Sequence, residues 1–511
     1  MPNVKVKKAQ RILKGQQSVN GAVKSICDIM RRSNCAGAMQ YVPELTWILF
    51  LRILDEKEQR ELDSAEALGV PFAPSLLPPY RWRDWASPDS ALRRKLQEGA
   101  LGDLFAFVNG ELLPHLRALA LDKNANQRQK VIAQVLSSVD RVHIDTETNF
   151  LDVLDKVNEL SSSDIDPTHV FALSQVYEGL LLKMGEKRND GGQFFTPREV
   201  IRVMVSVLDP QLGKTVYDPC CGTGGFLAQC FEYMSGKLGV VATADNIEWL
   251  RESTFYGREK EDLVYPIALA NLILHGIDRP NLWHGNALTG VSSYSDLFDN
   301  APALYDYILT NPPFGGKEGV EARTKFAYKS AATQILFLQH VVDSLKPGGK
   351  CAIVLDEGTL ITTRELAFAQ TKRKLLDECD VTCIVSLPAG VFTQAGAGVK
   401  TSVIFFRKGT PTEKIWYYDL SDVRVGKKRP LTKKHFEQFY ELLDSNGDSE
   451  RSWTVSRQQI DESNFDLMPQ NPNRIDNNED YTSEQLIDKL VTGMGETATI
   501  LEALGPPALL A

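Results

Sequence analysis

Hydrophobic residues recur at helical spacing through the first part of the chain. The clearest example spans residues 42–54, and further helical patterns cover 92–107, 131–139 and 150–160. An apolar residue every three to four positions places one apolar stripe along a helix, whereas a half-buried strand alternates with period two. No convincing alternation occurs in this part of the sequence. Residues 1–165 are therefore predicted to form an α-helical N-terminal domain.

The pattern changes in the middle of the chain. Short β-branched runs alternate there with amphipathic stretches such as 331–345 and 363–379. The runs predicted as strands are 215–217, 254–256, 306–309, 351–355, 381–386 and 402–406. Strands that alternate with helices predict an α/β fold with a mostly parallel sheet covered on both faces. We assign this domain to residues 166–410 and expect its last two strands to close the sheet edge as an antiparallel hairpin.

The remaining residues, 411–511, have a mixed pattern. A basic, loop-like run covers 422–434, and the sequence beyond it is acidic. Helical spacing returns near the end, in Ile487, Leu490, Val491, Met494, Ala498 and Leu501. Because an amphipathic helix needs a surface against which to bury its stripe, we interpret this region as a helical tail for subunit contact.

Composition removes several classes of protein. The chain has 511 residues, of which 43% are hydrophobic and 24% charged, as in a globular protein of several domains. The net charge of −9 argues against binding nucleic acid by bulk charge, although a local basic groove remains compatible with it. No apolar run has the length of a membrane span, and the eight cysteines are too irregular for a disulfide framework. We therefore expect a cytoplasmic protein with free thiols and no metal site.

The first chemical signal is a glycine-rich turn. In Val216-Tyr-Asp-Pro-Cys-Cys-Gly-Thr-Gly-Gly-Phe226, a predicted strand ends at an acidic residue, Asp218, and the turn leads into a helix. Glycines permit positive φ and let a ligand approach the backbone, while N–H groups of the turn donate to anionic groups. The spacing matches neither G-x-G-x-x-G nor the P-loop. Taken alone, the turn is also compatible with a connection that binds nothing.

The second signal follows another predicted strand. In Tyr305-Asp-Tyr-Ile-Leu-Thr-Asn-Pro-Pro-Phe-Gly-Gly316, two prolines come directly after Asn311. Prolines fix φ and lack N–H donors, so the Asn311 side-chain oxygen and the Pro312 carbonyl are left facing the crevice at the carboxyl ends of the strands. Two such acceptors beside the ring of Phe314 suit a planar amino group on a π-system. An ordinary turn explains this segment alone, but both segments in one sheet favour a site.

Together these segments resemble the S-adenosylmethionine-dependent DNA methyltransferases that methylate amino groups. The glycine-rich turn resembles their motif I and Asn311–Phe314 their motif IV. Gly192-Gln-Phe-Phe-Thr-Pro-Arg-Glu199 resembles motif X and precedes motif I, as in the γ group. With the helical N-terminal block, Leu387-Pro-Ala-Gly-Val-Phe392 and the helix-rich tail, the chain is similar to the modification (M) subunits of type I restriction–modification systems. This resemblance implies a Rossmann-like methyltransferase domain.

The resemblance also assigns site residues. Asp218 is expected to act on the ammonium of the cofactor's methionine moiety and Glu259 on its ribose hydroxyls, with Glu261 and Asp262 as competing carboxylates. The full cofactor set is Gln193, Phe194, Phe195, Thr196, Pro197, Arg198, Asp218, Gly222, Thr223, Gly224, Gly225, Glu259 and Asn286. Asn286 stands where relatives often carry aspartate. Asp356, at another predicted strand end, has a role that the sequence leaves open.

The reaction implied by the resemblance is methyl transfer from S-adenosylmethionine to adenine N6 in double-stranded DNA. Asn311 and Pro312 would accept hydrogen bonds from the amino group, and the flipped base would stack on Phe314. Neither a metal ion nor a covalent intermediate is needed. Cytosine N4 offers the same donor geometry, so an N4-cytosine methyltransferase stays an alternative that only the resemblance disfavours.

The family also implies partners. No recognition helix, zinc finger or domain with a basic face is evident after Phe406, so a separate specificity (S) subunit is expected to read the DNA. Two M subunits would join one S subunit (M2S1), and a restriction (R) subunit is an optional component. The basic segments 1–14 and 424–434 are candidate phosphate contacts. Two other classes stay open: an enzyme acting on a protein glutamine or an RNA base, and a non-catalytic interaction protein with the same fold.

Overall fold

A computed structural model describes residues 16–33, 38–159, 196–239, 243–290, 301–362, 364–392, 399–426 and 429–473. The predicted tail helix lies outside these ranges. Among the helices within them, none has both the length and the apolar character needed to cross a membrane. The described chain consists of an N-terminal helical part and a central α/β part.

The N-terminal part is helical, as predicted. Its helices are Gln16–Arg32, Ala38–Leu68, Trp82–Trp85, Ala91–Glu98, Asp103–Phe107, Leu113–Ala118, Gln127–Val135 and Glu147–Asn158. The helix predicted over 92–107 is divided in two, because Gly99 ends the first piece and Gly102, with φ of 103°, precedes the second. Trp47 is central to the core of this part, with its ring 6.5 Å from that of Trp85 and 6.4 Å from that of Phe150.

The central part is built on one sheet. Its described strands are β1 (Val216–Asp218), β2 (Phe255–Glu259), β3 (Asn281–His284), β4 (Tyr305–Thr310), β5 (Leu345–Asp356), β6 (Cys379–Ser386), β7 (Thr401–Lys408), β8 (Lys414–Asp419) and β9 (Ser452–Ser456). Their order is β3-β2-β1-β4-β5-β7-β6-β8-β9. The first five strands of this order are mutually parallel, and β7 runs antiparallel to both β5 and β6. The mixed sheet thus has the mostly parallel half that the sequence predicts.

Helices cover both faces of the sheet. They are Arg198–Leu208, Gly225–Leu238, Ala244–Glu252, Tyr265–His275, Val320–Lys325, Thr333–Ser344, Glu357–Ile361, Leu366–Glu378, Glu437–Leu443 and Arg457–Glu462. Because both faces are covered, both sets of side chains on strand β5 are buried. Ala352 and Val354 pack into the core that continues into the N-terminal helices, whereas Ile353 and Leu355 pack on the opposite face. A strand buried on both faces reads as a continuous apolar run.

The far half of the sheet differs from expectation. The predicted antiparallel pair exists as β6 and β7, but it does not close the edge, because β8 pairs with β6 and β9 pairs with β8. Strands β3, β8 and β9 were not predicted. The sheet therefore extends past residue 410, where the sequence analysis began the C-terminal region.

Charged side chains join the helical part to the α/β part. Arg128 donates to Glu61 at 2.7 Å and to Asp278 at 2.9 Å, with 16% of its side chain exposed. Lys57 donates a 2.8 Å hydrogen bond to the carbonyl of Ile273, in the helix Tyr265–His275. The N-terminal part thus contacts a helix that packs behind the glycine-rich turn.

Candidate active site

The glycine-rich turn leaves β1 and is held from two sides. Gly222 and Gly224 have φ of 54° and 81°, in the left-handed region that favours glycine. The N–H of Cys221 donates to the carbonyl of Arg258 on β2 at 2.9 Å. From the other side, Asn271 donates through Nδ2 to the carbonyl of Thr223 at 2.8 Å. Hydrogen bonds from β2 and from the helix Tyr265–His275 thus hold the backbone of this turn.

Asp218 ends β1 as a fully buried carboxylate. Its Oδ1 accepts hydrogen bonds from the Cys220 N–H at 3.2 Å and from the Thr310 hydroxyl at 2.7 Å. Its Oδ2 is buried and has no hydrogen-bond partner among the described residues. Burial raises the pKa of Asp218 to about 7. An ammonium placed against Oδ2 would both satisfy this oxygen and favour the ionised form.

Glu259 ends the neighbouring strand β2 and points inward. Its Oε2 accepts from the Gly222 N–H at 2.9 Å, and its Oε1 accepts from the N–H groups of Lys260 and Glu261, each at 2.8 Å. Burial raises the pKa of Glu259 to about 7. The competing carboxylates lie outside the crevice: Glu261 is exposed, and Asp262 is 78% exposed beside a histidine. These positions favour Glu259 over both neighbours as a cofactor contact.

Asn311 follows β4 on the other side of β1. Its side chain is 6% exposed, and its Nδ2 donates to the Thr196 hydroxyl at 3.0 Å. Its Oδ1 is buried without a hydrogen-bond partner in the described part of the chain. Pro312 is buried, and the half-buried Phe314 meets Phe392 edge-on, with ring centroids 5.1 Å apart. The turn thus carries an amide oxygen with spare acceptor capacity beside an aromatic ring.

The two turns lie side by side. Strands β2, β1 and β4 are direct neighbours, and their parallel direction brings Glu259, Asp218 and Asn311 to one edge of the sheet. Adjacent strands are about 4.8 Å apart, so these three strand ends lie close enough together to contact one small molecule. This is the arrangement that the sequence analysis required of a site.

The residues of the predicted motif X are only partly within the described ranges. Gln193, Phe194 and Phe195 lie outside them. Thr196 contacts Asn311, as above. Arg198 begins the helix Arg198–Leu208, and Pro197 is its N-cap residue, whose carbonyl accepts from the N–H of Val200 at 3.0 Å. Thr196 therefore brings the motif X segment to the Asn311 turn.

Asn286 lies just after β3, at the same edge. Its Oδ1 accepts from the Leu288 N–H at 2.9 Å, and its Nδ2 donates to Glu318 at 3.4 Å. Glu318 also accepts from the Thr333 hydroxyl at 3.2 Å. Sequence reasoning did not single out Glu318, which follows the Asn311 turn and ties it to Asn286.

Asp356 has a local explanation. It is the N-cap of the helix Glu357–Ile361, where its carboxylate accepts from the Thr359 N–H at 2.7 Å and from the Thr359 hydroxyl at 2.9 Å. The spacing of Asp356 and Thr359 is that of a helix cap, and the signal was present in the sequence. Capping accounts for this carboxylate without a role in the crevice.

Comparison with known proteins identifies the family. Residues 169–481 match the family model N-6 DNA Methylase, and residues 19–139 match the HsdM N-terminal domain. The methylase subunit of the type I restriction enzyme EcoEI from Escherichia coli is 34% identical over 474 residues, which cover 89% of this chain and 90% of that protein. The chain belongs to the methylase (M) subunits of type I restriction enzymes. The EcoKI methylase subunit of E. coli is 29% identical over 432 residues.

Solved structures agree with this M-subunit assignment. The modification subunit of a type I restriction enzyme from Vibrio vulnificus is 33% identical and aligns with a TM-score of 0.77 over 91% of this chain and 99% of that one. A chain from a study of complex assembly and conformational transition in the type I R-M system is 35% identical, with a TM-score of 0.70 over 96% of this chain and 98% of that one. The methyltransferase fold predicted from the motifs is confirmed.

This M subunit also has a cavity apart from the predicted site. It has a volume of about 390 Å³ and lies beyond β5, where Glu357, Ser386, Lys400 and Asp419 line it together with Tyr417. None of the predicted site residues lines this cavity. The candidate active site is the sheet edge at the ends of β2, β1 and β4, where Glu259, Asp218 and Asn311 lie.

Proposed function

We propose that this M subunit transfers the methyl group of S-adenosylmethionine to N6 of adenine in double-stranded DNA. One observation carries the proposal: two buried oxygens that lack hydrogen-bond partners among the described residues, Asp218 Oδ2 and Asn311 Oδ1, follow adjacent strands of the sheet. Asp218 Oδ2 is suited to binding a cation, and Asn311 Oδ1 is suited to accepting a hydrogen bond from an amino group. A reaction between a charged cofactor and an exocyclic amine needs both at one edge.

The residues around Asp218 fit the cofactor. Asp218 Oδ2 would pair with the ammonium of the methionine moiety, and Glu259 has acceptor capacity left for ribose hydroxyls beside its three backbone donors. A Cβ on Gly224 would lie 3.1 Å from the Leu272 side chain and would stand on a backbone with φ of 81°, so a larger residue would be strained and crowded at this position. When bound, S-adenosylmethionine supplies an electrophilic methyl group on a sulfonium.

Asn311 would hold the target amino group. Because its Nδ2 is engaged by Thr196, the side-chain amide is oriented with Oδ1 as the acceptor, and the Pro312 carbonyl supplies a second acceptor. Two hydrogen bonds from adenine N6 would favour a pyramidal nitrogen, with its lone pair directed at the methyl group. Positioning and charge complementarity of this kind are the main sources of catalysis for such a transfer.

Phe314 would receive the base. A target atom inside a duplex is reached by flipping the nucleotide out of the stack, and the flipped base is normally held between flat side chains. Phe392, packed edge-on against Phe314, supports the ring that would stack on it.

We infer that DNA-sequence recognition belongs to a partner. The net charge of −9 leaves little general attraction for DNA, and the relatives are methylase subunits of multi-subunit enzymes. We expect two M subunits to join one specificity subunit, with a restriction subunit as a further component of a complex that also cleaves. These partners, like the cytoplasmic location, are expectations from the family.

The test is methylation by the chain co-expressed with its specificity subunit. Unmodified DNA is incubated with S-adenosylmethionine carrying a tritiated methyl group and then digested to nucleosides. We expect the label in N6-methyladenine. Label in N4-methylcytosine would show that the substrate base is cytosine and not adenine. Binding of S-adenosylhomocysteine without incorporation of label would instead support the non-catalytic alternative.

A further inference from the structure

Thr310 lies between the two halves of the candidate site. It is the last residue of β4, is fully buried, and directly precedes Asn311 in the chain. Its hydroxyl oxygen is 2.7 Å from Asp218 Oδ1 and 2.9 Å from Cys220 Sγ. A single side chain thus contacts the turn assigned to the cofactor and adjoins the turn assigned to the target base.

We propose that Thr310 is a positioning residue, whose hydroxyl fixes the Asp218 carboxylate so that Oδ2 faces the cofactor's ammonium in register with Asn311. The proposal rests on the proposed function and adds to it a residue that none of the motif assignments includes.

The two partners of the Thr310 hydroxyl determine the direction of its hydrogen bonds. A carboxylate only accepts, so the Thr310 O–H donates to Asp218, and the Thr310 oxygen is then free to accept from the Cys220 thiol. Burial raises the pKa of the Cys220 thiol, which keeps its proton available for this bond. Together with the Cys220 N–H, the Thr310 hydroxyl gives Asp218 Oδ1 two donors. Two donors on one oxygen fix the rotation of the carboxylate and leave Oδ2 for the ligand.

The same hydroxyl opposes the effect of burial on Asp218. Burial raises the pKa of Asp218, and the hydrogen bonds from Thr310 and Cys220 lower it. Ammonium binding needs the ionised form, so loss of the hydroxyl should move the pH at which binding is lost upward. The titratable groups near Asp218 are Tyr217 on β1, Cys220 and Cys221 in the turn, Cys230 in the following helix, Cys351 on β5 and Glu259 on β2. Of these, Glu259 titrates near the same pH and is not bonded to Thr310.

The experiment compares three variants in the complex with the specificity subunit. Thr310→Val keeps the shape of the side chain and removes the hydroxyl. Thr310→Ala and Thr310→Ser form a matched pair that both lack the methyl group, so the difference between them isolates the hydroxyl even if packing is disturbed. Calorimetric Kd values for S-adenosylhomocysteine are measured between pH 6 and 9, together with kcat and KM for S-adenosylmethionine.

We expect the valine and alanine variants to bind S-adenosylhomocysteine about tenfold more weakly at neutral pH than the wild type and the serine variant, as for loss of a hydrogen bond to a charged group. The pH at the midpoint of the loss of S-adenosylhomocysteine binding should rise by about one unit. The KM for S-adenosylmethionine should change more than kcat. Equal affinity of the alanine and serine variants, or an unmoved midpoint in Thr310→Val, would overturn the proposal for Thr310. Wild-type protein that binds no S-adenosylhomocysteine would instead overturn the proposed function, and this inference with it.

Discussion

The side-chain amide of Asn311 donates a 3.0 Å hydrogen bond to the hydroxyl of Thr196. This contact joins the turn after β4 to the segment that leads into the helix Arg198–Leu208, far away in sequence. It also determines which end of the amide is left for a ligand, since the nitrogen is already engaged and the oxygen is not.

Thr196→Val should therefore slow methylation measured at saturating S-adenosylmethionine, a condition chosen because Thr196 also belongs to the cofactor set expected from the resemblance. Valine has the shape of threonine but offers no acceptor, so the Asn311 amide loses the contact that orients it. We expect kcat to fall about tenfold to a hundredfold, as for displacement of a positioned catalytic group. The check is single-turnover methylation of duplex DNA. Thr196→Ser is the matched control and should keep most of the wild-type rate. A valine variant as fast as the serine variant would contradict the role given to this contact.

Asn311→Ala should reduce the rate of methylation by at least about 10²-fold. Removal of the Oδ1 acceptor leaves the Pro312 carbonyl alone to hold the amino group, and loss of one such interaction commonly costs about 10²–10³ in rate. The affinity for S-adenosylhomocysteine should stay within a few-fold of wild type, because Asn311 is assigned to the base and not to the cofactor. Normal turnover in the tritiated-methyl assay would refute the assignment.

The placement of Asp218 and Asn311 at strand ends could be predicted from the sequence because the signals are local. Asp218 and Asn311 sit in short segments whose glycines and prolines determine the backbone, and the alternation of strands and helices places both segments at strand ends. The structure brings the ends of β1 and β4 into contact, with the Thr310 hydroxyl bonded to Asp218.

Other features depend on residues far apart in the chain. Glu318 meets Asn286 only because the segment after β4 returns over the end of β3. Strand β8 was missed because its buried run, Ile415 to Tyr418, shows no period-two alternation and is as short as a helical turn. Asn271 did carry a signal, as a polar residue within the apolar helix Tyr265–His275, but its partner could not be read from the sequence.

Asn271→Ala should weaken both the fold and cofactor binding. The variant leaves the buried carbonyl of Thr223 without its donor, which costs about 1–3 kcal/mol of unfolding free energy. The turn then loses its fixed shape, and we expect the Kd for S-adenosylhomocysteine to rise several-fold. Asn281→Ala is the control, since Asn281, at the start of β3, also donates to a buried backbone carbonyl, that of Phe255 at 3.2 Å. If both variants raise the Kd for S-adenosylhomocysteine equally, the weaker binding results from lower stability of the fold and not from the shape of the turn.

Arg128→Ala should loosen the attachment of the helical part to the α/β part. Its guanidinium bridges Glu61 and Asp278 in a largely buried position, so its loss leaves two partly buried carboxylates less well paired. We expect a loss of about 2 kcal/mol in unfolding free energy, measured by urea denaturation. Arg251→Ala is the matched control, because Arg251 contacts the same Asp278 at 3.5 Å with 48% of its side chain exposed. A surface pair of this kind contributes about 0.5 kcal/mol or less.

The contribution of Asp218 and Glu259 to the stability of the ligand-free protein should fall as the pH rises from about 4 to about 7, whereas buried His275, whose pKa is lowered to about 4, acts in the opposite direction. Burial raises the pKa of both Asp218 and Glu259 to about 7, above the ordinary values of 3.8 and 4.5. In this range these two carboxyl groups hold protons in the folded protein that they have released in the unfolded chain, so at these groups each increase in pH favours unfolding. A bound cofactor reverses the effect at Asp218, because its ammonium favours the ionised carboxylate. The increase in Tm produced by saturating S-adenosylhomocysteine should therefore be larger at pH 8 than at pH 6. The asparagine in Asp218→Asn cannot ionise, so in this variant the increase in Tm should be smaller and nearly equal at the two pH values. If the variant keeps the pH dependence of the wild type, a group other than Asp218 is responsible for it.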